Sequence, residues 1–180
     1  MAADPVGVRN PRVVAARKLL RRVVRRRTGR FLVEGAQAVR EAVAGAHVRE
    51  LFVTPDALER CSDVVAAVRR AQVRVTVVDD RAAASLSETV TPQGIVAVCD
   101  LIDVPVDVAL GGRSGAPPRL AAVLVDVADP GNAGTVIRVA DAAGADAVVL
   151  AGDAVDPHNG KAVRASTGSL FHLPIAQHRD

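Results

Sequence analysis

Apolar and polar positions along the chain follow two alternating periods. From Pro11 to Arg27, Val13, Ala16, Leu20, Val23 and Val24 recur at helical spacing, and Arg12, Arg17, Arg21, Arg22, Arg25 and Arg26 fill the polar positions. This spacing predicts one amphipathic basic helix, stopped by Thr28-Gly29. Phe31 to Val33 then reads as a strand, and Ala36, Val39, Ala42, Val43 and Ala46 as a helix face. Val48 to Thr54 reads as a strand, Pro55 to Ala71 as a helix opened by proline, and Val73 to Val78 as a strand. A short helix near Ala82 to Leu86 and a strand from Ile95 to Cys99 complete the series. Strands alternating with helices predict an α/β class, with a first compact α/β layer sandwich over residues 1–101.

Residues 102–118 break the pattern. Pro105, Gly111, Gly112, Gly115, Pro117 and Pro118 cluster there, and the segment reads as a linker. The alternation restarts over 119–180 with a buried strand Leu120 to Val125, a loop through Asp129-Pro130-Gly131 and a helix from about Asn132 to Ala143. A buried strand Ala147 to Leu150 and an extended piece around Pro174 to Ala176 follow.

Charge changes this picture more than composition does. Residues 1–30 hold nine arginines and Lys18 against Asp4 alone, in a chain whose total charge is only +3, so a basic head precedes an acidic body. A protein with three phenylalanines and neither Trp nor Tyr has few rings on which to stack bases. RNA contact is therefore expected through arginine, with Arg9, Arg22, Arg25 and Arg26 as candidates in the basic head. Cys61 and Cys99 lie far apart with no metal-ligand spacing to any histidine, which predicts reduced thiols, no metal site and a cytoplasmic location. No apolar run approaches the roughly 20 residues of a spanning helix, so no membrane partner is expected.

Two stretches carry candidate chemistry. In Asp129-Pro130-Gly131-Asn132-Ala133-Gly134, the glycines let the backbone approach a ligand, Asn132 is a candidate helix cap, and the helix start is a seat for an anion. Arg138 lies one turn beyond Gly134. An ordinary strand-to-helix turn, with Arg138 paired to Asp141 in solvent, is the alternative. A dinucleotide-binding reading, with Asp153 as the ribose acid, is contradicted by glycine spacing, because Ala133 and Val136 stand where glycines are needed. In the second stretch, Lys161 and Arg164 precede Ser166, Thr167 and Ser169 around Gly168, a set able to surround phosphate oxygens or simply to cap a turn.

Taken together these residues resemble the SpoU (TrmH-like) family of RNA ribose 2′-O-methyltransferases, most closely those acting on ribosomal RNA, including the thiostrepton-resistance type. The resemblance runs from Arg9-Asn10-Pro11 and Phe31-Leu32-Val33-Glu34-Gly35 through Thr91-Pro92-Gln93-Gly94 to Asp129–Gly134 with Arg138, and on to Arg164–Ser169 with Pro174. It implies an RNA-binding domain similar to a ribosomal-protein α/β/α sandwich, linked to a SPOUT-type (trefoil-knot) α/β methyltransferase domain that forms a homodimer. It implies catalytic roles for Asn132 and Arg138, RNA contacts for Arg164 and Ser166, and a place for Gly134 beside the methyl donor, S-adenosylmethionine. Two later motifs of the family, Gly-x-Glu-x-x-Gly and Ser-Leu-Asn, have no match: the last glutamate is Glu88, and the only asparagine after Asn132 is Asn159. The domain over 119–180 is therefore expected to be incomplete, with weak or no binding of the donor by this chain alone. A non-catalytic RNA-binding module is the competing class.

Overall fold

The computed structural model describes residues 4–111 and 118–179. The chain divides into two compact units, Met1–Leu101 and Ile102–Asp180.

The first unit begins with helix α1 (Pro11–Arg17), capped by the Asn10 side chain, which accepts the Arg12 N–H. A 3-10 turn (Lys18–Leu20) and α2 (Arg22–Thr28) follow. Next come β1 (Arg30–Glu34), α3 (Ala36–Ala44), β2 (Val48–Val53), α4 (Pro55–Arg60), α5 (Ser62–Arg70), β3 (Arg74–Val77), α6 (Asp80–Ser85) and β4 (Ile95–Asp100). The four strands form one sheet in the order β1-β4-β2-β3. Strand β4 runs antiparallel to both neighbours, and β2 and β3 are parallel. The twofold strand period divides the core. Leu32, Phe52, Val96 and Val98 pack on one face with Val13, Ala16, Leu19, Ala82 and Leu86, while Phe31, Val33, Leu51, Ala97 and Cys99 belong to the face covered by α3. Helices on both faces make this unit the three-layer α/β/α arrangement.

The predicted continuous basic helix is broken. At Arg21 the backbone is extended (φ −90°, ψ 126°), and no side chain caps α2 there. The guanidinium of Arg25 turns back instead, donating to the carbonyls of Leu19 at 3.0 Å and Leu20 at 2.8 Å. The break resets the helical phase, so Leu19 is buried instead of Leu20 and Val23 is 76% exposed. Arg25 itself is 4% exposed, which corrects its assignment as an RNA contact: its fork is spent on two orphan carbonyls. The predicted helix from Pro55 to Ala71 is likewise two helices, parted at Cys61 (φ −112°, ψ 34°). Both cysteines are free and buried, and burial pushes the Cys99 thiol far up, so it is an inert apolar group.

The second unit contains β5 (Asp103–Val104), α7 (Val106–Leu110), β6 (Ala121–Val125), α8 (Pro130–Ala142), β7 (Ala147–Ala151), α9 (Gly160–Ser166) and β8 (Ile175–His178). Its sheet is parallel in the order β5-β8-β7-β6. Helix α8 packs on β6 and β7, and α7 brings Ala109 against Ala147, Val149 and Ala176. This corrects the linker assigned to 102–118. Asp103 and Val104 pair with Ile175 and Ala176, and Pro105 stands at the N-cap of α7, where it interrupts nothing because no helical N–H is needed there. The rest of the expected linker, 112–117, lies outside the described residues.

Removing the Arg25 fork strips two buried carbonyls of their donor. Arg25→Ala is expected to lower the unfolding free energy by about 1–3 kcal/mol, whereas Arg26→Ala, at an exposed position, changes it by less than about 0.5 kcal/mol. Urea midpoints of the two variants distinguish these outcomes.

Candidate functional site

The site is built where β6 gives way to α8. After Val125 the chain turns through Asp126 in the left-handed region (φ 53°), whose carboxylate accepts the Asp153 N–H at 2.8 Å and so ties the ends of β6 and β7 together. Asp129 then caps α8, its Oδ1 accepting the Asn132 N–H at 2.9 Å, and Pro130 occupies the first helical position. Asn132 is thus not the cap that the sequence suggested. It sits in the first turn, exposed, and its carboxamide makes no hydrogen bond among the described residues.

Helix α9 lies against α8, and the glycines of the loop record how closely. A Cβ at Gly131 would stand 2.9 Å from Lys161 Cε. A Cβ at Gly134 would fall 2.3 Å from the Ala162 carbonyl oxygen and 2.7 Å from Ala165 Cβ. Gly134 is therefore required by helix-to-helix contact. The close backbone approach that needs a glycine here is the one made by α9. Ser166 is corrected as an RNA contact: it is fully buried and its hydroxyl donates to the Val163 carbonyl at 2.8 Å, away from any RNA.

Across this contact Asp129 serves two partners. Its Oδ1 holds the α8 turn, and its Oδ2 meets Lys161 Nζ at 2.6 Å, with Asn159 capping α9 beside it. The Lys161 hydrogen bond, then that of the Asn132 N–H, holds the Asp129 carboxyl below its ordinary range. The expected anion seat at the start of α8 is thus already taken by the protein's own carboxylate. Arg164, in the last turn of α9, is half-buried.

Arg138 lies one turn past Gly134 on the exposed side of α8, and its guanidinium forms no hydrogen bond or ion pair among the described residues. The sequence offered Asp141 as its partner. The structure sends Asp141 elsewhere: its Oδ2 is 2.7 Å from His172 Nδ1. Partial burial raises the Asp141 carboxyl, but the hydrogen bonds from Ser169 and His172, with the His172 charge, outweigh it and leave the carboxyl below its ordinary range. Lys161 was visible in the sequence as a phosphate candidate. Asp129 as its partner, and His172 as the partner of Asp141, were not, because no local spacing links residues about 30 positions apart.

In the first unit, Arg9 and Arg26 are exposed and Arg22 is half-buried. The segments carrying Glu34-Gly35 and Gln93-Gly94 meet beside the β1–β4 pairing: the Gly35 N–H donates to the Ile95 carbonyl, and a Cβ at Gly35 (φ 99°) would lie 3.2 Å from Gln93 Oε1. Glu34 is buried and accepts the hydroxyls of Ser87 and Thr89, bracing the loop that leads into this segment. Among the described residues no group of three or more His, Cys, Asp or Glu could hold a metal, and no helix is long and apolar enough to cross a membrane.

Residues 10–97 match the MRM3-like substrate binding domain, and residues 119–180 match the SpoU rRNA Methylase family. In this order, a match to a substrate-binding domain precedes a match to a methylase family. The second unit is thus similar to the SpoU family. The chain is 34% identical over 169 residues to RlmP of Bacillus subtilis (strain 168), a 23S rRNA (guanosine(2553)-2'-O)-methyltransferase, covering 94% of this chain and 62% of that protein. An rRNA methyltransferase from Sinorhizobium meliloti superposes with a TM-score of 0.82 at 29% identity, over 97% of this chain and 65% of that one. The SpoU methyltransferase AviRb from Streptomyces viridochromogenes, solved with AdoMet, gives 0.78 at 31% identity, over 96% of this chain and 64% of that one. The chain thus spans a little under two thirds of the length of these relatives.

Two outcomes follow from the α8–α9 contact and its carboxylates. Gly134→Ala is expected to lower the unfolding free energy by about 1–3 kcal/mol, read from the urea midpoint, because the new methyl meets backbone that cannot give way. Asp141 titrates lower folded than unfolded, where its value is about 3.9. Its stabilisation is therefore complete above that value and is lost as pH falls through the folded one. Asp141→Asn is expected to shrink the drop in urea midpoint between pH 5 and pH 2.

Proposed function

We propose that the protein takes part in 2′-O-methylation of ribosomal RNA, with large-subunit RNA as the substrate class and S-adenosylmethionine as the methyl donor. The observation that carries this reading is the free, exposed fork of Arg138 one and a half turns from the free carboxamide of Asn132 on α8, in a unit similar to this family. The overall reaction forms a bond between the ribose 2′-oxygen and the methyl carbon, breaks the bond from that carbon to sulfur, and releases the hydroxyl proton. Gly134 is packed against α9. What the described residues offer is the RNA side of the reaction.

Arg138 holds its proton at any ordinary pH and cannot act as the base. Its fork suits a phosphate next to the target ribose, where it fixes the nucleotide and stabilises negative charge developing on the 2′-oxygen. Asn132 can orient the ribose with its amide. Lys161, held by Asp129, keeps the loop beneath them in place. The arginines of the first unit, Arg9, Arg22 and Arg26 among them, supply the salt-sensitive hold on RNA. Homodimer formation and a cytoplasmic location belong to the same reading.

The test measures transfer of labelled methyl from S-adenosylmethionine to ribosomal RNA together with RNA affinity across salt. Arg138→Lys is expected to lower transfer about a hundredfold, because one ammonium cannot reproduce the planar fork. Arg26→Ala is expected to reduce the salt slope of binding by about one. Near-native transfer by Arg138→Lys refutes the clamp role. RNA binding with no transfer by the unaltered protein would establish a binding module in its place.

A further inference from the structure

Arg138 and Asp141 stand three residues apart on the exposed side of α8, a spacing at which opposite charges pair on a helix surface. They are not paired. Asp141 is turned to the segment after α9, where His172 Nδ1 approaches its Oδ2 at 2.7 Å. That segment is held in place independently of Asp141. Gly168 reverses the chain in the left-handed region (φ 102°), Leu170 of the 3-10 turn Ser169–Phe171 is fully buried, and the His172 N–H donates to the Ser169 carbonyl. The imidazole therefore competes with the neighbouring guanidinium for one carboxylate, and holds it.

We propose that His172 is a positioning residue whose task is to draw Asp141 away from Arg138, so that the guanidinium fork stays open for an RNA phosphate. The ordinary fate of this arginine is capture by its own helix neighbour. An arginine already bidentate with a carboxylate must give that partner up before it takes a phosphate, and this arrangement removes that step. His172 does not need to touch the substrate. The assignment of the fork to RNA rests on the function proposed above, whereas the competition for Asp141 does not.

The experiment reads the fork directly. Phenylglyoxal, which condenses with free guanidinium groups, is applied to the whole chain, and modification of Arg138 is timed by peptide mass spectrometry, with exposed Arg26 and Arg27 as internal standards. His172→Ala is expected to slow modification of Arg138 about twofold relative to the standards, as Asp141 swings onto it. His172→Asn, which keeps a donor near the Nδ1 position, is expected to retain the original rate, and adding Asp141→Asn to His172→Ala is expected to restore it. Unfolding would speed modification of every arginine, so a slower Arg138 cannot come from a damaged fold. If His172→Ala leaves the rate unchanged, or if Asp141→Asn fails to restore it, the proposal is overturned. Affinity for ribosomal RNA in the same variants provides the second arm. Affinity that follows the Arg138 rate supports the clamp as well, while a slowed Arg138 with unchanged affinity upholds the positioning role and removes the RNA assignment.

Discussion

The second unit depends on one close approach. Helix α9 comes so near α8 at Gly134 that a single methyl there would overlap the Ala162 carbonyl. Interiors do not yield to such overlap without moving backbone, so the contact sets where both helices begin. Because they begin side by side, Asp129 can cap one and hold Lys161 of the other with opposite oxygens of one carboxylate. Because α9 ends where it does, the chain reverses at Thr167 and Gly168 and returns His172 to Asp141. Asn132 and Arg138 project from a helix whose ends and neighbours are fastened in this way.

The first unit shows how charge alone misleads. Its arginines form one basic head in sequence, yet they divide by what the backbone needs from them. Where the helix breaks at Arg21, carbonyls lose their intrahelical donors, and an arginine four positions on is long enough to serve them. Arg25 is thereby removed from the surface while Arg26 and Arg27 remain on it. Arg12 is likewise engaged within the unit, near Glu50 and Thr76. The exposed positive potential of this unit comes from the arginines that the fold leaves over.

Much of the fold was legible because most of its elements obey a local period. Strands β1 to β4 and β6 and β7 carry short apolar or alternating runs, and α3, α5 and α8 bear helical stripes that one sheet face can bury. Elements without such a signal were missed. Strand β5 is two residues long and α7 only five, and their composition resembles a linker. They exist because the edge of β8 and the face of β7 and β8 need covering. The candidate site divides in the same way. Asn132, Arg138 and Lys161 stand out by residue type and spacing. The purposes of Gly134 and Ser166 could not be read, because a glycine for a ligand and a glycine for a helix look alike until the neighbouring backbone is in place.

By itself, then, the sequence determined the α/β class, the basic head, the family resemblance and the polar Asn132 and Arg138 on α8, since these rest on local periodicity, charge and short motifs. Only the tertiary structure decided which of the candidate residues stay free. Asp141 chooses His172 over Arg138, Arg25 serves its own backbone, and Gly134 packs on α9. Each outcome is a competition between partners distant in sequence, settled by distances of a few ångströms that no spacing along the chain encodes.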